Sequence, residues 1–153
     1  MKPGTYTQLY IQIIFAVKNR DVALKKTTRK IIFKYMSGII SKMNHKSIII
    51  NGASDHVHIF IGLNPTKSIS DTVRDIKRST SKYINKEKLC NGRFEWQEGY
   101  GAFSYSRSQI NSVYNYILKQ EEHHKKRTFK DEYIDFLEKY GIEYNHKYLF
   151  EFR

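Results

Sequence analysis

The sequence predicts one α+β domain with a ferredoxin-like fold, in which split β-α-β units form an antiparallel sheet with two helices on one face. The first observation is the order of hydrophobic patterns, which is strand, helix, strand, strand, helix, strand and then two helices. The second is size, because 153 residues with 40% hydrophobic composition suffice for one core. We therefore expect a single domain over residues 1–153, with a ferredoxin-like core over 1–106 and a C-terminal helical extension over 107–153.

The first half of the chain predicts a strand, a helix and a hairpin. Residues 5–17 are rich in aromatic and β-branched side chains, which are typical of a strand, although Gln12 interrupts the apolar run. Residues 25–43 carry apolar side chains at helical spacing. Residues 46–51 and 57–63 are β-branched runs on either side of an Asn-Gly turn signal, so we expect them to pair as a hairpin.

A basic helix, an irregular strand and two further helices follow. Residues 68–86 have apolar side chains at helical spacing with basic side chains interleaved. Residues 93–105 predict an irregular strand that bends at a glycine in its middle. Residues 108–126 predict one helix, and residues 129–140 predict another that ends at a glycine in the C-cap position, Gly141. These last two helices make up the C-terminal extension.

The charge of the chain favours a polyanionic partner. Lysine and arginine number 27 against 15 acidic residues, which gives a formal net charge of +12. Because the basic residues are spread through every segment, we expect a nucleic-acid partner, the alternative being that the charge serves solubility alone. Four basic residues of the helix over 68–86 are plausible phosphate contacts, or equally a solvated helix face. They are Arg74, Lys77, Arg78 and Lys82.

The cysteine content restricts both the compartment and the kind of metal site. Cys90 is the only cysteine, which excludes an intramolecular disulfide and a cysteine zinc cluster. This composition is typical of a reducing compartment, so we expect a cytoplasmic protein. The apolar run over residues 9–17 is far too short to span a bilayer and lacks the cleavage site of a signal peptide. We therefore expect no membrane partner.

Two histidines one strand period apart form the first half of a candidate active site. His56 and His58 flank Val57 at the start of a predicted strand, so their imidazoles share one face and could bind a divalent cation together. A third side chain from elsewhere could complete the ligand set. Alone the pattern is weak, since two histidines can also line a polar sheet face. Asp55, beside the pair, could orient a histidine by accepting its hydrogen bond, but alternation directs Asp55 away from both rings, which favours a polar role at the loop end.

The helix over residues 108–126 carries the second half. Tyr116 and Gln120 stand at positions i and i+4, and His123 and His124 follow at i+7 and i+8, so these side chains share one helix face. A tyrosine hydroxyl has a pKa near 10, so it needs a neighbouring cation or base to act as a nucleophile. A metal that binds the phosphate would provide this help. The alternative is that Tyr116, one of twelve tyrosines, is a packing residue.

Four ordered segments carry a resemblance to a known family. They are SDHVHIFIGL at 54–63, SISDTVRDIKRSTSKYI at 68–84, WQEGYGAFSYS at 96–106 and VYNYILKQEEHHKK at 113–126. Through these segments the chain resembles the HUH single-tyrosine transposases of small insertion sequences, and the likeness extends over nearly its whole length.

The resemblance implies a role for each site residue. His56 and His58 would be the metal-binding pair, Gln120 the third ligand, and Tyr116 the nucleophile that forms a 5′-phosphotyrosine link and releases a 3′-hydroxyl. Tyr114 is the rival nucleophile within the same motif. The family metal is Mg²⁺ or Mn²⁺, whereas ligand chemistry alone favours manganese or zinc for two imidazoles. His123 and His124 could assist proton transfer or contact DNA, but a histidine near the C-terminal end of a helix also complements its dipole, so both stay outside the predicted catalytic set.

The resemblance also implies partners. Proteins of this family act as homodimers on single-stranded DNA, recognise hairpins near the element ends and use no nucleotide cofactor. Their catalytic helix acts within its own subunit or in the partner subunit, and the sequence leaves both arrangements open. Further interpretations also remain open: a domesticated relative that processes repeat hairpins, a replication-initiation or relaxase-like nickase, and a non-catalytic ferredoxin-like nucleic-acid-binding module. Only the catalytic interpretations require His56, His58 and Gln120 to converge near Tyr116.

Overall fold

The chain folds around one four-stranded antiparallel sheet. The structure is a computed structural model that describes residues 3–18 and 23–152. Its strands are β1 (Tyr10–Ala16), β2 (Lys46–Gly52), β3 (His56–Gly62) and β4 (Gly101–Tyr105), and their order in the sheet is β2-β3-β1-β4. β1 and β3 lie side by side at the centre, so the two β-α-β units interleave. This arrangement confirms the predicted ferredoxin-like α+β fold.

Five α-helices accompany the sheet in the described part of the chain. They are α1 (Lys26–Lys42), α2 (Ile69–Lys86), α3 (Ile110–Leu118), α4 (Gln120–His124) and α5 (Phe129–Lys139), with 3-10 turns at Arg107–Gln109 and His146–Tyr148. The side chains of Ser68 and Thr128 accept hydrogen bonds from the first turns of α2 and α5. After α5 the chain turns at Gly141, whose φ of +64° favours glycine, as the C-cap prediction requires. None of the described helices is long and apolar enough to cross a membrane.

The two faces of the sheet differ in what covers them. On β3, Val57, Ile59 and Ile61 are fully buried and belong to the main core with the buried residues of α1 and α2. The alternate side chains of β3 face the other way, where Phe60 packs against Val113 and other apolar residues of α3. The C-terminal helices therefore cover the face of β3 that carries the histidines.

Two predicted strands are shorter than expected. β1 begins at Tyr10 rather than at residue 5, and β4 covers only Gly101–Tyr105 of the predicted span 93–105. In the preceding segment the pairing with β1 is reduced to an isolated bridge between Trp96 and Val17, and α2 side chains satisfy other backbone groups. The Asn85 amide both donates to the Phe94 carbonyl at 3.0 Å and accepts from the Phe94 N–H at 2.7 Å. These bonds hold the start of the segment against α2, so the regular ladder with β1 covers only Gly101–Tyr105.

The helix predicted over residues 108–126 is broken, which corrects that prediction. Helix α3 ends at Leu118 and α4 begins at Gln120, because Lys119 has φ −98° and ψ 24°. The Asn51 amide of β2 donates to the carbonyls of Ile117 and Leu118 at 3.0 and 3.1 Å. In an unbroken helix these carbonyls would accept from backbone N–H groups four residues later. A tertiary contact therefore explains the break, and Tyr116 and Gln120 lie on separate helices.

Candidate active site

His56 and His58 project side by side from β3, as the alternation predicted. Both side chains are fully buried, and their ring centroids are 5.1 Å apart. The ring of Phe129, in the first turn of α5, stacks on His56 at 3.9 Å with an interplanar angle of 6°. The imidazole pair is therefore enclosed between the sheet and α5.

The carboxylate of Glu132, which was not among the predicted site residues, lies at the centre of the site. Glu132 projects from α5 and is fully buried. Its Oε1 accepts from Nε2 of His58 at 3.2 Å and from Nε2 of His124 at 3.1 Å. Its Oε2 accepts from the amide of Gln120 at 3.1 Å and, through a short hydrogen bond, from the hydroxyl of Tyr116. One carboxylate thus joins both halves of the predicted site.

A sequence signal for Glu132 did exist. Within α5, Phe129, Tyr133 and Leu137 are buried and fall at helical spacing. Glu132 stands on the same stripe, one position before Tyr133. A carboxylate at a position that helical spacing assigns to the core is costly unless it is paired, so it marks a candidate site.

Asp55 contacts His56, which corrects the prediction that it points away from both rings. His56 Nδ1 donates to Asp55 Oδ1 at 2.8 Å. Asp55 lies in the turn before β3, so strand alternation does not set its direction. Because an ionised carboxylate only accepts hydrogen bonds, the Nδ1 atom of His56 carries a proton.

The orientation of His56 leaves its second nitrogen facing another acceptor. Its Nε2 lies 3.1 Å from Oε1 of Gln120 and 3.5 Å from Oε1 of Glu132. With the proton on Nδ1, a neutral His56 presents a lone pair on Nε2, and both neighbouring oxygens are acceptors as well. Such a contact is stable if His56 gains a second proton or if all three atoms share a cation.

The donor set fits a divalent cation. His56, His58 and Glu132 each offer a ligand atom, and these atoms lie within 4.8 Å of one another. Imidazole nitrogen suits manganese and zinc, and carboxylate or amide oxygen suits magnesium and manganese. The oxygens of Glu132 and Gln120 therefore bring the set closer to the preference of magnesium and manganese than two imidazoles alone would.

Burial and charge act against each other in this cluster. Burial opposes ionisation of Glu132, but the neighbouring His58, His124 and His56 hold the pKa of its carboxyl group well below its usual range. Burial lowers the pKa of His58, with Glu132 acting in the opposite direction. These directions favour an ionised carboxylate on Glu132 and a neutral imidazole on His58, which are the protonation states that metal binding requires.

Tyr116 lies within this cluster on the same chain. Burial raises the pKa of its hydroxyl, and the negative charge of Glu132 raises it further. Nη2 of Arg127, 3.5 Å from the hydroxyl oxygen, acts in the opposite direction. His123 stacks on the Tyr116 ring at 4.5 Å. His123 and His124, left outside the predicted catalytic set, therefore both line the site, whereas Tyr114 is 38% exposed.

The predicted DNA-binding residues lie away from the histidines, along a cleft between α2 and residues 93–100. This cleft has a volume of about 900 Å³, and Arg74, Lys77, Arg78 and Lys82 all line it. Lys77 also has a structural role, because its ammonium donates to the carbonyls of Gln97 and Gly99, each at 2.7 Å. Burial lowers the pKa of Lys77 to about 8.

Comparisons with known proteins agree with this architecture. A crystal structure of a candidate transposase from Deinococcus radiodurans R1 is 19% identical, with a TM-score of 0.58 over 78% of this chain and 96% of that one. The structure of a REP-associated tyrosine transposase bound to a REP hairpin is 13% identical, with a TM-score of 0.59 over 81% and 74%. At these identities the likeness concerns the fold. No curated protein matches the chain.

The family itself is shown by the sequence. Residues 5–120 match the model of the IS200-like transposases, which covers most of the chain and includes His56, His58, Tyr116 and Gln120. Transposases cleave and rejoin DNA, so the match implies an enzyme of that kind and confirms the resemblance to the HUH single-tyrosine group. The chain belongs to the family of IS200-like transposases.

Proposed function

We propose that the chain cleaves and rejoins single-stranded DNA through a 5′-phosphotyrosine intermediate on Tyr116, with Mg²⁺ or Mn²⁺ bound by His56, His58 and Gln120. The observation that carries this proposal is the convergence of Tyr116, both histidines and Gln120 on the buried carboxylate of Glu132. A packing tyrosine or a non-catalytic binding module has no need of this convergence.

The two oxygens of Glu132 support a division of labour. Oε1 faces the histidines, so it is placed to join the ligand set, and Oε2 faces the hydroxyl of Tyr116. When bound, the cation would polarise the scissile phosphodiester and stabilise charge on the leaving oxygen. The Tyr116 oxygen attacks phosphorus, the bond from phosphorus to the 3′ oxygen breaks, and the released strand ends in a 3′-hydroxyl. The phenol proton leaves through Oε2 of Glu132, its hydrogen-bond partner, and is transferred on to the leaving 3′ oxygen, so the carboxylate is ionised before and after the step.

The covalent adduct provides the direct test. With a hairpin-bearing single strand and Mn²⁺, we expect wild-type protein to attach covalently to the 5′ end of the downstream product, as seen on a denaturing gel. Tyr116→Phe should abolish the adduct, because it removes the nucleophilic oxygen and keeps the ring. Tyr114→Phe is the matched control and should retain it. An adduct that survives in Tyr116→Phe and disappears in Tyr114→Phe would identify Tyr114 as the nucleophile.

We propose further that Tyr116 acts within its own chain. Its hydroxyl contacts Glu132, which also contacts His58 of the same chain. Mixing Tyr116→Phe protein with His58→Ala protein tests this directly. If each centre is built from one chain, the mixture stays inactive, because no molecule holds both groups. Restored cleavage would mean that the tyrosine is exchanged between the subunits of a homodimer.

We assign recognition of the hairpin DNA to the cleft along α2. Arg78 and Lys82 are exposed there, and the exposed Tyr100 contributes an aromatic surface to the same cleft. Basic side chains would bind phosphates, and Tyr100 is suited to stack on an unpaired base. The family and the hairpin bound by the REP-associated relative support this choice of ligand.

Charge reversal tests the cleft. Arg78→Glu and Lys82→Glu should each weaken hairpin binding about tenfold at moderate salt and reduce its salt dependence, because a phosphate contact is lost. Lys30→Glu is the matched control, since Lys30 is exposed on α1 and does not line the cleft. Equal losses in all three variants would indicate an effect of net charge alone.

A further inference from the structure

A buried amide lies behind the metal-binding pair. Gln12 interrupts the apolar run of β1, and its side chain is 1% exposed between the buried residues Ile11 and Ile13. A primary amide at such a position is costly unless its hydrogen bonds are made. We therefore expect hydrogen-bond partners for both the nitrogen and the oxygen of this amide.

Gln12 joins His58 to Tyr105 in one chain of hydrogen bonds. Its Nε2 donates to Nδ1 of His58 at 2.8 Å, and its Oε1 accepts from the hydroxyl of Tyr105 at 2.7 Å. Because Nδ1 of His58 accepts, the ring proton resides on Nε2, which donates to Glu132. In this state Nε2 of His58 has no lone pair for a cation.

The two histidines are thus held in opposite tautomers. Asp55 accepts from Nδ1 of His56, so in the neutral form of this ring the lone pair lies on Nε2, directed into the site. The amide of Gln12 donates to Nδ1 of His58, which leaves the proton there on Nε2. Of the two rings, His56 is ready to bind a cation, and His58 requires a rearrangement behind it.

We propose that Gln12 is the positioning residue of His58, and that its amide reverses when a cation binds. The inference rests on the proposed metal site. In the reversed arrangement Oε1 of Gln12 accepts from Nδ1–H of His58, and the amide Nε2 donates to the oxygen of Tyr105. The ring proton moves from Nε2 to Nδ1, so the number of bound protons is unchanged.

The surroundings of Tyr105 allow this reversal. After reversal the Tyr105 oxygen accepts, so its own hydrogen needs another partner. A cavity of about 230 Å³ borders Gln12 and Tyr105 and is also lined by Gln109, Tyr116 and Tyr140. Polar groups and room for water on that side give the hydroxyl hydrogen an alternative direction.

The tautomer of His58 is measurable without metal or DNA. Long-range ¹H–¹⁵N correlation spectra of metal-free protein should show the Nε2–H form of His58 in the wild type. Gln12→Glu should show the Nδ1–H form, because a carboxylate only accepts. Tyr105→Phe should shift the population towards the Nδ1–H form, since nothing then fixes the amide. Tyr10→Phe is the control, because Tyr10 lies opposite Tyr105 on β1.

Mn²⁺ affinity gives the second measurement. Gln12→Met should weaken Mn²⁺ binding about tenfold, because it leaves Nδ1–H of the bound form without a partner. Gln12→Glu should bind Mn²⁺ at least as tightly as the wild type. Thermal unfolding checks that each variant is folded. If Gln12→Met does not fold, Tyr105→Phe takes its place in the affinity measurement.

The outcomes separate the two proposals. An Nδ1–H tautomer in the metal-free wild type would overturn the reversal of the Gln12 amide, and one tautomer and one Mn²⁺ affinity shared by all variants would overturn the positioning role of Gln12. A wild type that binds no Mn²⁺ would instead overturn the metal site, while the tautomer spectra still decide whether Gln12 positions His58.

Discussion

Strand β3 and the segment from α3 to α5 supply the two halves of the site in different ways. On β3, the period of the strand alone places His56 and His58 on one face. In the C-terminal segment, Tyr116, Gln120 and Glu132 come from three helices, and contacts with the rest of the fold set their positions. The first half depends on local geometry and the second on tertiary packing. The C-terminal half should therefore be the more sensitive to substitutions outside the site.

Glu132→Gln should cause the largest change, because it removes the group that joins the halves. We expect Mn²⁺ affinity to fall at least tenfold and adduct formation about a hundredfold. Glu132 is both a buried candidate ligand and the hydrogen-bond partner of Tyr116, and the substitution removes its charge. Calorimetry and gel quantification of the adduct measure these effects. Glu138→Gln, an exposed change on the same helix, is the control. Wild-type behaviour of Glu132→Gln would limit the contribution of the C-terminal half to Tyr116 and Gln120.

Asn51→Leu should disturb the C-terminal half from a distance. The carbonyls of Ile117 and Leu118 lose their partner on β2, so α3 and α4 can join into one helix and move Gln120. We expect adduct formation to fall about tenfold and the free energy of unfolding by about 1–3 kcal/mol. Amide hydrogen exchange should slow at residues 121 and 122, which gain these acceptors. Asn111→Leu, exposed on α3, should leave exchange there unchanged, and an identical pattern in both variants would contradict the role of Asn51.

Acidification should lower the free energy of unfolding of the metal-free protein, with one contribution from each half of the site, and this effect should be smaller than the two above. Burial lowers the pKa of His58 below 6.5, so the unfolded chain binds a proton first and stability falls as the pH drops below that value. The pKa of Glu132 is lowered from 4.5, which gives a further loss below pH 4.5. Urea unfolding between pH 7 and 4 measures this loss. Glu132→Gln should remove the part below pH 4.5, and an unchanged slope there would contradict the assignment.

Gly141→Ala should have the smallest effect. The φ of +64° at Gly141 is unfavourable for alanine, although no atom lies within 4 Å of an added Cβ. We expect a loss of about 1 kcal/mol in the free energy of unfolding. Gly38→Ala is the matched comparison, since Gly38 lies within α1 with equally open space, and it should stabilise by about 0.5–1 kcal/mol. Urea unfolding measures both changes. If the two substitutions shifted the free energy of unfolding in the same direction, the explanation from backbone conformation would be contradicted.

The sequence predicted much of the fold and the histidine half of the site. Alternation and helical spacing are local, so they identified β3, α1, α2 and α5 to within two residues. The break at Lys119 could not be predicted, because it depends on Asn51, which is far away in sequence. The contact of Asp55 with the neighbouring His56 was ranked below a polar role at the loop end, because turn geometry rather than strand period directs this side chain. Glu132 showed a local signal, a carboxylate on an apolar stripe, but its partners became visible only in three dimensions.

The stacking of Phe129 on His56 has a practical consequence for handling the protein. Phe129 also packs near Phe150 and Phe152, so the last described residues hold α5 against the site. An affinity tag or a fluorescent fusion placed close to Phe152 would lie beside that aromatic cluster. Residues 3–9 are exposed and precede the sheet. Purification handles and surface-immobilisation linkers therefore belong at the amino-terminal end.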